Sequence, residues 1–236
     1  MLISHKKKFV FVHIYKTAGT SVAGTFLPYS RLIDRMVFEF WFSRKAISQI
    51  IKIMGWQDHG QREFCGVEKH AKAIEIREYM GAKQYDEYFS FAFVRNPFDL
   101  VVSLYFYVRQ AKSHRDHIRV NQMEFDEFVR WHLDEKPPLM LDFISDPESG
   151  ERIVDYIGHF ENLAQDVSHI QEKVGIEVGQ IQHKNASAKR KKKNYQEYYT
   201  EETKSLVENY FKADLDAFGY TFEGVKSERK KVSENS

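Results

Sequence analysis

Lys16-Thr-Ala-Gly-Thr-Ser21 gathers an ammonium group, three hydroxyls and a glycine into six residues. Those are the groups an oxyanion requires. Gly19 lets backbone approach a ligand closely, and Thr17, Thr20 and Ser21 carry hydroxyls that can donate. If a helix starts here, its first N–H groups have no partner within the helix and its positive dipole end faces the anion. Lys16 adds a point charge at the rim, which suits phosphate or sulfate. The competing reading of this stretch alone is an ordinary strand–turn–helix junction with a surface lysine. Two further groups stand where such a site would use them: Arg95, followed by Asn96-Pro-Phe-Asp99, and His70, just before a helical pattern.

The elements that must position these residues alternate between strand and helix. Phe9 to Ile14 is a near-continuous β-branched and aromatic run with His13 its one polar member, as expected of a buried parallel strand. The helix after the turn ends by Pro28. From Arg31 to Trp56 the chain is rich in aromatics, and Ala46, Ile47, Ile50, Ile51 and Met54 predict a helix over 43–54 that covers the sheet or lines an acceptor pocket. A weak strand, Glu63–Val67, then leads to His70 and a helix over 71–80 that Gly81 caps. Tyr88–Val94 is the second strong strand. Asn96 is its successor helix's N-cap, Pro97 the first helical residue, and Phe98, Val101, Val102, Tyr105 and Val108 the apolar face.

Beyond that helix, residues 111–120 read as a polar, mobile loop, 125–133 as a short helix, and Pro137-Pro138 as a break. Asp155–Phe160 is a third strand, with a helix from Glu161-Asn162 to Val174. Residues 181–194 are loop-like and carry the basic run Lys189–Lys193, which either closes on an anion or is a solvated loop. Thr200 caps a final amphipathic helix whose apolar side is Leu206, Val207, Tyr210, Phe211 and Leu215. The pattern predicts an α/β fold: a single P-loop-like domain over residues 1–222, with a central parallel sheet flanked by helices and a charged, disordered tail over 223–236. In such sheets ligands bind outside the carboxyl ends of the strands, which is where Lys16, His70 and Arg95 are expected.

The 236 residues suffice for one domain with a sizeable core. Lys+Arg of 35 against Asp+Glu of 34 leaves a formal charge of +1, without the excess of a nucleic-acid-coating protein, so an anion site must be local. Cys65 is the sole cysteine, which excludes an internal disulfide and a Cys-rich zinc site and fits a reducing compartment. The sequence has no apolar span of about 20 residues and no signal-peptide core behind Lys6-Lys-Lys8, and it opens on Met1; the expectation is a soluble, cytoplasmic protein. A Walker loop would place its lysine after the glycines, whereas Lys16 precedes Gly19, and no clear strand ends in an aspartate that would hold Mg²⁺. ATP with magnesium is disfavoured.

Two stretches together, His13-Ile-Tyr-Lys-Thr-Ala-Gly-Thr-Ser21 and Phe91-Ala-Phe-Val-Arg-Asn-Pro-Phe-Asp-Leu-Val-Val-Ser-Leu-Tyr105, resemble the sulfonate-donor motifs of the Golgi carbohydrate sulfotransferases and their bacterial relatives. Lys69-His-Ala71, Ile157-Gly-His-Phe-Glu-Asn-Leu163, His183-Lys-Asn185 and Asp214-Leu-Asp-Ala-Phe-Gly-Tyr220 resemble further landmarks of that family in the same order. The resemblance implies 3′-phosphoadenosine 5′-phosphosulfate (PAPS) as donor, no required metal, and a hydroxyl-bearing acceptor, a saccharide. It places the 5′-phosphosulfate loop on Lys16, Thr17, Ala18, Gly19, Thr20 and Ser21, and the 3′-phosphate pair on Arg95 and Ser103. It makes His70 the catalytic base and gives Lys16 the charge on the departing oxygen, roles that imidazole and ammonium chemistry suit. His70 also fits a structural or N-capping role, and His13, His59 and His183 read as structural or substrate-facing. Ala18 stands where glycine is frequent, and Leu100 where arginine often stands. The alternatives are a P-loop-type small-molecule kinase and a non-catalytic nucleotide- or polyanion-binding module.

Overall fold

The computed structural model describes residues 1–32, 67–177 and 194–226. Within them the chain runs through β1 (Leu2–Ser4), β2 (Phe9–Val12), α1 (Gly19–Phe26), α2 (Ala73–Met80), β3 (Phe89–Val94), α3 (Pro97–Gln110), α4 (Phe125–Asp134), β4 (Tyr156–His159), α5 (Leu163–Lys173), α6 (Glu201–Tyr210) and α7 (Lys212–Phe218). A last pair of short strands, β5 (Tyr220–Thr221) and β6 (Gly224–Val225), follows, and several helical turns of five residues or fewer connect these elements. The chain divides into two compact units, one drawn from Met1–Val94 and Met140–Ala186, the other from Arg95–Leu139 and Ser187–Ser236.

The first unit holds a four-stranded sheet in the order β1-β2-β3-β4. β1 is antiparallel to β2, whereas β2, β3 and β4 are parallel, with Phe9 opposite Phe89, Val12 opposite Ala92 and Val94 opposite His159. Alternation of side chains across the pleat sends Phe9, Phe11, Phe91 and Phe93 to one face. There they pack with Val22 and Phe26 of α1 and Leu163, Val167 and Ile170 of α5. Phe9, Phe11, Phe91 and Phe93 are almost wholly buried, each contributing about 1.5–3 kcal/mol by its removal from water. Gly158 sits opposite Phe93 in the register, and a Cβ there would lie 2.4 Å from the Phe93 ring, so the absence of a side chain on β4 admits that ring. The result is an α/β fold, a mostly parallel sheet flanked by helices.

The second unit is helical apart from its closing hairpin. Asn96 accepts a bond from Phe98 N at 3.1 Å and Pro97 opens α3, as the sequence predicts. Tyr105 of α3 packs on Phe125 and Phe128 of α4 and donates from its hydroxyl to Met123 O at 3.0 Å. Thr203 of α6 donates to Asp126 Oδ1 at 3.2 Å, while the Tyr199 hydroxyl donates to Phe98 O at 2.8 Å.

Several expectations are corrected. The sheet carries an antiparallel edge, β1, too short at three residues to register as a strand signal. Residues 111–120 are not all loop: His117–Asn121 is helical and Val120 is fully buried. The final helix is two helices, broken where Phe211 takes φ −92° and ψ 18°. The charged tail starts later than 223, because Gly224–Val225 pairs with Tyr220–Thr221. The expected helix over 43–54, residues 63–66 of the strand before His70 with Cys65, His59, His183, residues 181–193 with the basic run, and residues 227–236 lie outside the described residues. Among the described residues no helix is long and apolar enough to cross a membrane.

Candidate functional site

In the first unit, the chain leaves β2 at Val12 and turns into α1 within six residues. The turn is made by two non-glycine residues in the left-handed region, Lys16 at φ 63° and Ala18 at φ 64°. Ala18 is the N-cap, and its carbonyl accepts from Ser21 N at 2.8 Å and Val22 N at 3.1 Å. Ala18 offers no side-chain cap, and no acidic residue lies in the helix's first turn. Its first turn thus supplies no carboxylate to compensate the positive end, and alternating backbone of this kind turns N–H groups into a concavity suited to an anion.

Thr17 is fully buried and its hydroxyl donates to Ile14 O at 2.9 Å. That hydroxyl closes the turn, so what Thr17 can offer an anion is its backbone N–H. Gly19 is required for a reason other than the one expected. A Cβ at this position would fall 1.8 Å from His13 Nε2, so it is the His13 ring that comes close to the backbone. His13 is 4% exposed and stacked on Phe11 with ring centroids 5.5 Å apart. Burial, aided by nearby positive charge, holds its pKa well below the usual imidazole range.

His70 lies against the same group. Its ring centroid is 4.6 Å from that of His13 and 6.4 Å from that of Tyr15, which in turn packs edge-on to Phe143. His70 Nδ1 is 2.8 Å from His13 O. A carbonyl only accepts, so Nδ1 carries the proton and the lone pair is on Nε2. Burial lowers the His70 pKa to about 4, against a raising contribution from the His13 carbonyl bond. The ring is therefore a neutral imidazole at physiological pH, in the tautomer a proton acceptor at Nε2 requires.

In the second unit, Arg95 directly follows β3 and is 7% exposed. Asp99, one helical turn on, accepts on Oδ2 from Arg95 Nε at 2.9 Å and Nη2 at 2.6 Å. Asn96 caps α3 through its oxygen while its Nδ2 donates to Thr221 O at 2.8 Å and Tyr195 Oη at 3.2 Å. Ser103 is 4% exposed in the middle of α3. Leu100, at the motif position where arginine is frequent, is buried as a core side chain.

The structure thus brings His70 together with His13 and Tyr15, beside the Lys16–Ser21 turn in sequence, and places Arg95 two residues before α3 and Ser103 in the middle of that helix. Four residues contribute in ways the sequence reading did not give. His13, read as structural or substrate-facing, fixes the His70 tautomer through its carbonyl and accounts for Gly19 through its ring. Asp99 was passed over although its spacing of four from Arg95 across a helix start is an ion-pair signal. Tyr195 and Thr221, far away in sequence, left no local signal.

A profile of the Sulfotransferase family matches residues 1–221. The chain is 35% identical over 104 residues to an uncharacterized protein of Archaeoglobus fulgidus, an alignment covering 43% of this chain and 79% of that one. No solved structure matches the chain.

Proposed function

The chain belongs to the sulfotransferase family, and on that premise we propose that it moves the sulfuryl group of PAPS in line onto a hydroxyl of a carbohydrate acceptor. Sulfuryl transfer is the family's activity; donor and acceptor are our reading. The observation that carries it is the uncapped, acid-free N-terminus of α1 behind two left-handed residues, with neutral His70 tethered to the strand end that enters the turn. This pairs an anion cradle on one short segment with a base that reaches it from 57 residues further along the chain.

The donor supplies a sulfur that an acceptor oxygen can attack while the bond to the 5′-phosphate oxygen breaks. In our assignment the backbone of Thr17, Ala18 and Gly19, with Thr20 and Ser21, holds the 5′-phosphosulfate, and Lys16 stabilises the negative charge that collects on the departing phosphate oxygen. His70 takes the acceptor's hydroxyl proton on Nε2, becoming imidazolium, and releases it to solvent. A pKa of about 4 makes it a weak base in the free protein, and an anionic donor beside it raises its basicity. Arg95 and Ser103 bind the 3′-phosphate, which ATP lacks. None of these roles calls on a metal. We read residues 1–222 as the sulfotransferase domain and, with one cysteine in the chain, a reducing compartment, the cytoplasm, as its setting.

The test is thermal stabilisation by 3′,5′-ADP against Mg-ATP. Stabilisation by 3′,5′-ADP is expected, and a response to Mg-ATP alone would overturn the reading in favour of a kinase. Turnover with labelled PAPS and a panel of saccharides then defines the acceptor. His70→Ala should cut kcat by about 10²–10⁴-fold while leaving the 3′,5′-ADP shift intact; unchanged turnover would remove His70 as the base.

A further inference from the structure

Resting on that reading, we infer that Asp99 is the positioning residue that makes Arg95 selective for a 3′-phosphorylated donor. Both Arg95–Asp99 bonds end on one oxygen, Oδ2, and both start from one edge of the guanidinium, Nε and Nη2. A guanidinium held along that edge has its plane and direction set, which fixes the geometry in which its N–H groups meet a phosphate.

The carboxylate is itself held in place. It sits in the first turn of α3, whose start is fixed by Pro97 and by the Asn96 cap on Phe98 N at 3.1 Å. Asn96 is tied in turn to Thr221 O. The side chains of Arg95 and Asp99 are only 8% and 12% exposed, so solvent competes little for either. Because Leu100 is buried and uncharged, the motif offers Arg95 as its one cation for the 3′-phosphate, and the orientation of Arg95 decides how well that group is recognised. The pair is neutral as a whole. Recognition therefore comes from directed N–H groups rather than from net charge.

The measurement is the ratio of dissociation constants for 5′-AMP and 3′,5′-ADP, which isolates the 3′-phosphate, determined by calorimetry on the full chain. In Asp99→Asn, 3′,5′-ADP should weaken by about tenfold, as expected when a charged contact loses its geometry, while 5′-AMP binding is unchanged. Asp99→Glu, which keeps the charge pair and the fold, should restore most of the ratio and serves as the readout should the asparagine variant not fold. A wild-type ratio in Asp99→Asn, or equal weakening of both nucleotides, overturns the inference, since a merely structural salt bridge would affect both alike. If the unaltered chain binds 5′-AMP and 3′,5′-ADP equally, the Arg95 assignment falls and this inference with it.

Discussion

The two anion-binding candidates are built from different materials. The Lys16–Ser21 turn relies on backbone: two left-handed residues, an uncapped helix start, and a glycine with an imidazole pressed against it. The Arg95 corner relies on side-chain charge, neutralised internally by Asp99 and clamped by Asn96. The first is sensitive to shape and indifferent to compensation, whereas the second is sensitive to charge balance. In general a loop that wraps a large anion gains from many weak, oriented N–H groups, while the discrimination of one extra phosphate needs a single strong, well-aimed group.

The largest expected effect breaks the corner. Arg95→Ala leaves the Asp99 carboxylate buried without its partner and should cost about 3–5 kcal/mol in chemical denaturation. Arg95→Ala with Asp99→Ala should regain most of that loss, and a double variant as unstable as the single would show that charge balance is not what governs this region. Acid probes the turn. His70 titrates at about 4 folded and 6.5 unfolded, so the unfolded chain binds the extra proton between those values. Stability is then fully present above pH 6.5 and declines as pH falls toward 4, by on the order of 3 kcal/mol for this residue. His70→Asn should flatten that slope. His132 on α4, also lowered by burial to about 4, adds a similar slope that the substitution leaves in place.

Smaller effects separate shape from charge more finely. Gly19→Ala drives a methyl into the His13 ring and should destabilise by about 1–3 kcal/mol, with a loss of turnover because the His13 carbonyl that holds His70 moves too. Adding His13→Ala, which removes the ring and keeps the carbonyl, should recover stability and with it much of the turnover; recovery of neither would dismiss the His13 contact as the cause. The smallest change sharpens the comparison: Ala18→Gly relieves a left-handed alanine and should stabilise by about 1 kcal/mol in thermal melts, with no loss of donor binding.

What the sequence made legible was local. Phe9–Val12 and Phe89–Val94 announce themselves as apolar runs, and Asn96-Pro97 and Thr200 as helix starts, because each signal is complete within a few residues. The strand–turn–helix junction at Lys16–Ser21, the candidate anion site, was likewise visible in its composition. Its mechanism was not: nothing marks Lys16 and Ala18 as left-handed, since neither is glycine, and the role of Gly19 depends on a ring that arrives from the strand before it. The break between α6 and α7 was hidden because Leu206 to Leu215 keep an apolar spacing across it. The Thr221 contact to Asn96 joins positions with no periodic relation.

That last contact has a bearing on the order in which the protein is made. Asn96 and Thr221 are separated by 125 residues, so at ordinary synthesis rates the Arg95 corner waits roughly ten seconds on the ribosome before its clamp emerges. The described bonds of the Lys16 turn, from Thr17 to Ile14 O and from Ser21 N and Val22 N to Ala18 O, span only a few positions and can form long before. On the proposed reading, a nascent chain thus holds the cradle for the transferable group well ahead of a finished reader for the phosphate that identifies its carrier.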